Sequence, residues 1–202
     1  MSQALTSPKA DAAIAKEYSL ANFFSRYIDK YKKQWKVIHS TCDYKRKDLE
    51  HNVIEWKDTP YNNAVYGDIR IAKRDQFGRV NGPMVYVDLK YSDTWDYASI
   101  TFPKTRDFPK YDCLKHLDMI GKGVEKDFYY VSWAKAGIRV FSLEDIKSFV
   151  RGADEADMLR YCIEGKYNAR PSWYITLDNL SFRSEPKVLL NWLDSEVSSR
   201  LG

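Results

Sequence analysis

Cysteine, histidine and glycine are all scarce in this chain. The three cysteines, Cys42, Cys113 and Cys162, are far apart and adjoin no Cys-x-x-Cys pair, so they offer neither a disulfide framework nor a zinc-ribbon pattern. The three histidines, His39, His51 and His116, fit no metal-ligand spacing, which argues against a zinc enzyme. With nine glycines in all, the sequence has no Gly-x-Ser-x-Gly elbow and no phosphate-cradling Gly-x-x-x-x-Gly-Lys loop. The short Gly121-Lys122-Gly123 cluster reads as the end of a helix instead. No apolar run approaches the length needed to cross a bilayer, and the first residues lack the charged-then-apolar order of a signal peptide. These absences predict a cytoplasmic protein with no membrane partner.

What the chain does have is size, rings and scattered charge. Its 202 residues are 44% hydrophobic and 15% aromatic, enough for one domain with a substantial core. We expect a flexible tail over residues 1–10 and a single domain over 11–202. The net charge of +4 is mildly basic and permits a polyanionic partner without requiring one. Its distribution is uneven: Lys30, Lys32, Lys33 and Lys36 crowd one stretch, Lys45-Arg46-Lys47 another, and Arg70, Lys73, Arg74 and Arg79 flank a pair of aspartates.

Periodicity predicts the elements. Leu20, Phe23, Phe24, Tyr27, Ile28 and Tyr31 recur at three-and-four spacing, which makes a helix from Asp11 to Lys33. Extending the stripe backwards puts Glu17 beneath Leu20 and Phe24, where a carboxylate must be paired or functional. Gln34 to Ser40 reads as a first strand and Val53 to Lys57 as another, with Tyr61-Asn62-Asn63 a turn. Ile69 and Ile71 alternate with Asp68 and Arg70. Val85, Val87 and Leu89 alternate with Asp88 and Lys90, so the two segments should form an antiparallel pair joined by the turn-rich residues 73–83. Tyr97 to Phe102 predicts a strand and Tyr111 to Ile120 a helix. Asp127 to Trp133 with Gly137 to Phe141 predicts a hairpin, and Ser142 with Asp145 caps a helix through Val150. Further expectations are a helical turn over Asp154 to Cys162, a strand at Trp173 to Leu177 and a final helix from Pro186 to Leu201. The whole predicts a mixed α/β (α+β) domain with a central, partly antiparallel sheet flanked by helices.

The chemistry is concentrated in Asp68 and Asp-Leu-Lys 88–90. Two carboxylates and an amine on one wet edge of a strand pair suit a hard divalent cation, with the Leu89 carbonyl a third oxygen ligand. Such an ion acidifies bound water and neutralises charge at a scissile phosphate, while Lys90 stabilises the pentavalent transition state or orients the water. Arg70, Lys73 and Arg74 are the candidates for phosphate contact, and Tyr91 and Ser92, just past Lys90, for contact with nucleic acid.

A strand carrying Asp, a turn, and a strand carrying Asp-x-Lys resembles the PD-(D/E)xK nuclease superfamily, the fold of many restriction endonucleases. The resemblance covers roughly Tyr18 to Arg151, with residues 152–202 an elaboration, and implies catalytic roles for Asp68, Asp88 and Lys90. It implies Mg2+, or Mn2+, held by Asp68, Asp88 and Leu89, and gives Glu17 the place of a glutamate that many members carry on the leading helix. Two departures stand out: Gly67 precedes the first acid where proline is common, and the second acid is Asp rather than Glu. Other acid-x-Lys triplets occur. Glu55-Trp56-Lys57 is the main rival, with Asp43 upstream, whereas Glu164-Gly165-Lys166 should lie at a turn and Asp145 on a helix. The resemblance implies a DNA endonuclease, with RNA an alternative substrate and a homodimer compatible with cutting two strands. The competing expectation is an inactive module that binds nucleic acid or protein on the same scaffold.

Overall fold

A computed structural model describes residues 8–39, 66–167, 169–177 and 187–202. The expected strand at Val53 to Lys57, the turn at residues 61–63, the Lys45-Arg46-Lys47 cluster and the rival acids Asp43 and Glu55 lie outside the described residues.

Among the described residues the architecture is α+β: a mixed sheet of six strands, a second sheet of three, and five helices. Helix α1 spans Pro8–Tyr31, three residues earlier than the stripe implied, because proline is tolerated in a first helical turn. Residues 8–10 are therefore helical, a correction to the expected tail. Strand β1 (Trp35–His39) follows, then β2 (Ile69–Arg74) and β3 (Val80–Tyr91), each antiparallel to the one before. The β2–β3 connection is the expected hairpin. Its turn is held by the Asp75 carboxylate, which accepts from the amides of Phe77 and Arg79 at 2.9 Å each. The register slips between Ala72 and Arg74, so the hairpin end is irregular.

After β3 the chain leaves the large sheet. Strand β4 (Ser99–Pro103) belongs to the small sheet, and α2 (Pro109–Met119) leads back to β5 (Phe128–Ala134), which pairs parallel to β3. Strand β6 (Gly137–Ser142) completes the second hairpin. The Ser142 hydroxyl accepts from the Asp145 amide at 3.0 Å and caps α3 (Leu143–Gly152), as the spacing predicted. Asp154 caps α4 (Glu155–Tyr161) in the same way.

Two sequence expectations fail in the C-terminal third. Glu164-Gly165-Lys166 is not a turn but the middle of β7 (Cys162–Tyr167), antiparallel to β8 (Arg170–Thr176). With a glycine between two charges, the triplet shows no apolar alternation, so its sheet partner decides its conformation. The final helix does not begin at Pro186. Lys187–Val188 is a two-residue strand, β9, paired with β6, and α5 follows as Leu189–Trp192, a π turn over Leu193–Val197, and Ser198–Leu201. Val188 is extended (φ −69°, ψ 138°), which ends the strand and starts the helix.

The strand order β1-β2-β3-β5-β6-β9 gives the large sheet two covered faces. On one, Leu20, Phe24 and Ile28 of α1 and Trp192, Leu193 and Val197 of α5 pack on Ile69, Ile71, Val85 and Val87. Each such side chain contributes on the order of 1.5–3 kcal/mol by leaving water. Phe23 and Tyr31, on the margin of the α1 stripe, stay exposed. The π turn places Asp194 to accept a hydrogen bond from the Tyr27 hydroxyl, tying α5 to α1. On the other face, Phe128, Tyr130 and Phe141 meet α2, α3 and the inner side of the small sheet, including Phe102, Trp173 and Ile175. Strand β3 is thus the third of six and buried on both sides. The sheet edge expected for Asp88 and Lys90 is instead an interior strand, with Asp88 buried and the Lys90 side chain 30% exposed.

Candidate functional site

The site forms where β2 begins and β3 runs past it. Gly67, at φ 73°, turns the chain into β2 so tightly that a Cβ there would lie 2.5 Å from the Val87 carbonyl oxygen and 3.1 Å from the Asp88 amide nitrogen. Proline cannot take that φ, which explains the departure from the commoner residue before the first acid. The close approach presses Asp68 against β3. Its amide donates to the Val87 carbonyl at 2.8 Å, and its carboxylate accepts from the Leu89 amide at 2.9 Å. Because β2 starts only at Ile69, the Leu89 carbonyl, on the same side of β3 as its N–H, looks towards Asp68 rather than into a ladder partner.

Asp88 and Lys90 lie two residues apart on the opposite face from Val87 and Leu89, and their side chains meet in an ion pair of 2.8 Å. Asp88 is 8% exposed, an unusual position for a carboxylate, which at that burial must be paired. Across the sheet, Tyr130 sits opposite Asp88 in register. Its ring lies 5.6 Å from the Lys90 ammonium, and its hydroxyl is fully buried with no hydrogen-bond partner among the described residues. His116, from α2, stacks on Phe102 at 6.0 Å on the same side.

The electrostatics show that these groups share one space. Burial pushes the Asp68 carboxyl well above its ordinary range, and the negative charges of Asp88 and Glu17 push the same way, against the pull of Lys90 and the Leu89 amide. Burial lowers the Lys90 ammonium, but Asp88, Asp68 and Glu17 together outweigh it and hold the amine protonated. Burial and the Lys90 charge lower His116 to about 4, so it is a neutral ring at pH 7. Burial also raises the Tyr130 phenol well above its usual value, and Asp88 adds to the effect. Asp68, Asp88 and Glu17 thus all act on the one amine, and the raised Asp68 carboxyl shows that a further negative charge there is resisted.

Glu17 reaches this cluster from α1 as its place on the stripe suggested, through its field on Asp68 and Lys90. Among the described residues, no group of three or more histidine, cysteine, aspartate or glutamate side chains is spaced to hold a metal ion. The oxygen donors that β2 and β3 bring side by side are thus those of Asp68, Asp88 and the Leu89 carbonyl, with Glu17 contributing from α1.

The basic candidates divide. Arg70 pairs with Tyr86 across the strands, one alternation from Asp68 on the same face. Lys73 and Arg74 sit at the far end of β2, about 17–20 Å away at ~3.3 Å per residue. There the Lys73 ammonium donates to the Gly202 carbonyl at 2.9 Å and Arg74 to the Lys33 carbonyl at 2.6 Å. Their proximity to the acids was a proximity in sequence alone. Tyr91 falls on the α1 side of β3, where the Lys16 ammonium lies 5.6 Å from its ring. The Ser92 hydroxyl accepts from the Thr94 and Trp95 amides and shapes the turn that leaves β3.

Sequence reasoning missed Tyr130 and His116. Tyr130 reads as one more ring in a buried strand, and only the β3–β5 register sets it opposite Asp88. His116, alone on a helix, carries no spacing signal.

No protein-family model matches the chain, and neither a curated protein nor a solved structure does. A functional reading therefore rests on this geometry.

Proposed function

We propose that the chain is a metal-dependent endonuclease that hydrolyses phosphodiester bonds in DNA, on a core resembling the PD-(D/E)xK nucleases. The observation that carries this reading is the meeting of Asp68, Asp88 and Lys90 where β2 runs beside β3, within the field of Glu17 on α1. The order of a leading helix, a first strand, an acid-bearing strand pair and a later strand–helix unit supports it.

The donors fit Mg2+, with Mn2+ as its substitute: all are hard oxygens, too few to replace every water, as Mg2+ prefers. The raised Asp68 carboxyl marks a place where added positive charge is favourable. When bound, the ion supplies a more acidic water and neutralises charge at the scissile phosphate. Asp68 and Asp88 would hold it together with the Leu89 carbonyl. Lys90, kept protonated by its acidic neighbours, offers its N–H groups to the phosphoryl oxygen that gains charge as water attacks. Glu17 orients that water from α1, and Arg70 meets a neighbouring phosphate. RNA and a homodimeric assembly are compatible with the same site.

Asp88→Asn and Lys90→Ala are expected to lower cleavage of plasmid and oligonucleotide DNA in Mg2+ or Mn2+ by about 10²–10³-fold or more. Circular dichroism should verify that each variant folds. A folded variant with full activity would reject the assignment. The ion pair between Asp88 and Lys90 favours a second reading, in which each charge satisfies the other and the scaffold only binds. In that case neither cation would alter the melting temperature and the wild type would cut nothing.

A further inference from the structure

The three-stranded sheet has one face in the core and one turned outward. Strand alternation sends Ile100, Phe102, Trp173 and Ile175 inward, all buried. It sends Thr101, Tyr174 and Tyr167 outward along with Arg170 and Gly165. Two features of the outward face are not what a solvated sheet needs. The first is the ring of Tyr174. A Cβ on Gly165, in the neighbouring strand, would lie 2.9 Å from it, and its hydroxyl donates to the Lys166 carbonyl at 2.5 Å. The ring is therefore laid down across β7, anchored at its far end, half-buried against the backbone and bordering a cleft. Gly165, which gave no signal as a strand residue, is the space that permits this. The second feature is a pair of large exposed rings beside it, Tyr167 at 58% and Trp95 at 57%.

This face is continuous with the candidate site. A cleft of about 810 Å³ is lined by Lys90 and Tyr91 at one end and by Thr101, Ser172, Arg170 and Tyr167 at the other. A second cleft, of about 320 Å³, lies over Tyr174 beside Trp95 and Tyr97. Ser99 lines both. The acid of this sheet, Glu164, is paired with Lys104 at 2.6 Å, so Arg170 is the charge that the sheet itself brings to the larger cleft, whose far end holds the Lys90–Asp88 pair.

We propose that the outward face of the three-stranded sheet is a track for single-stranded nucleic acid, with bases stacked on Tyr174, Tyr167 and Trp95 and the backbone drawn by Arg170 towards Lys90. Flat rings spaced along a sheet, with a cation between them, match bases that alternate with phosphates. Only an unpaired strand exposes its base faces to them. That the strand is then cut rests on the nuclease reading above, whereas the binding does not.

Fluorescence anisotropy with a labelled oligothymidylate of twenty nucleotides, its duplex and the matching oligouridylate, in EDTA, tests the track apart from cleavage. The wild type should bind the single strand more tightly than the duplex, with affinity falling steeply as salt rises. Tyr167→Ala and Trp95→Ala, both at exposed positions, should each weaken it roughly tenfold. Arg170→Glu should weaken it further and flatten the salt dependence. Loss of binding in the ring variants, together with no cleavage by the wild type, keeps the track and removes the nuclease reading. The proposal is overturned if the ring variants bind the single strand as tightly as the wild type, whether or not DNA is cut. Preference for the duplex, or an affinity only for peptides, overturns it too.

Discussion

Asp88-Leu89-Lys90 and Glu164-Gly165-Lys166 are both acid-x-Lys triplets and both lie in strands, yet their surroundings differ completely. The first occupies β3, the third of six strands, where Asp88 is 8% exposed and three acids face one amine. The second occupies β7, at the edge of a three-stranded sheet, where the Glu164 side chain is 56% exposed and answers a single lysine from β4's end. The glycine at the centre of the second triplet makes room for a tyrosine ring, while the leucine at the centre of the first fills the core. Chemistry at such a motif is thus a property of strand position rather than of the three letters. A buried pair with excess like charge holds electrostatic energy that a cation or an anionic transition state can use. An exposed pair in water holds very little.

The sharpest way to break this comparison is to neutralise each acid in turn. Asp88→Asn should remove cleavage activity, whereas Glu164→Gln should leave it within about threefold and stability within about 0.5 kcal/mol, the usual range for a surface substitution. Comparable losses in a cleavage assay would erase the distinction.

Next in size is the pH response of the buried side. His116 ionises at about 4 in the folded protein against 6.5 when exposed, so the unfolded chain binds more protons between those values. Stability should be fully present above pH 6.5 and fall as pH drops towards 4. The loss is about 3 kcal/mol at 1.36 kcal/mol for each tenfold change. Asp68 has the opposite sign. Its raised carboxyl binds protons more readily folded than unfolded, so its contribution to stability falls as pH climbs through its folded value. Urea unfolding of His116→Phe across pH 4–7 should show the acid loss largely gone. An unchanged slope would place the titration elsewhere.

A smaller effect is expected at Gly67. Alanine there must adopt a left-handed φ, at about 1–2 kcal/mol, and push β3's backbone away from Asp68. Denaturant midpoints should drop accordingly, and activity should drop more than stability explains. Smallest of all, Lys73→Ala combined with Arg74→Ala should change cleavage less than threefold, because both side chains bind carbonyls at the remote end of β2. A tenfold loss would bring them back to the site.

Much of the fold was legible because its helices and strands carry regular stripes. The α1 face, the alternation of Ile69 and Ile71 with Asp68, that of Val85 and Val87 with Asp88, and the Ser142 cap all act locally. The approach of Glu17 was legible too, since a carboxylate in an apolar stripe has few places to go. Three kinds of information were not. The depth of β3 depends on a six-strand order set by long-range pairing. The strand character of residues 162–167 comes from Tyr174 and its neighbours in β8, not from its own residues. The separation of Lys73 and Arg74 from the acids follows from strand extension, which turns five residues into a gap wider than a phosphate contact can bridge.

The central claim, that the carboxyl oxygens of Asp68 and Asp88 form a seat for a hard cation, is tested most directly by melting wild-type protein and Asp68→Asn at pH 7.5, in EDTA and in millimolar Mn2+. In EDTA, Asp68→Asn should melt at or above the wild type, because it keeps an acceptor for the Leu89 amide and removes the repulsion. Mn2+ should raise the wild-type melting temperature and leave the variant's unchanged. A variant that melts well below the wild type in EDTA, or equal Mn2+ responses in both, would contradict the account.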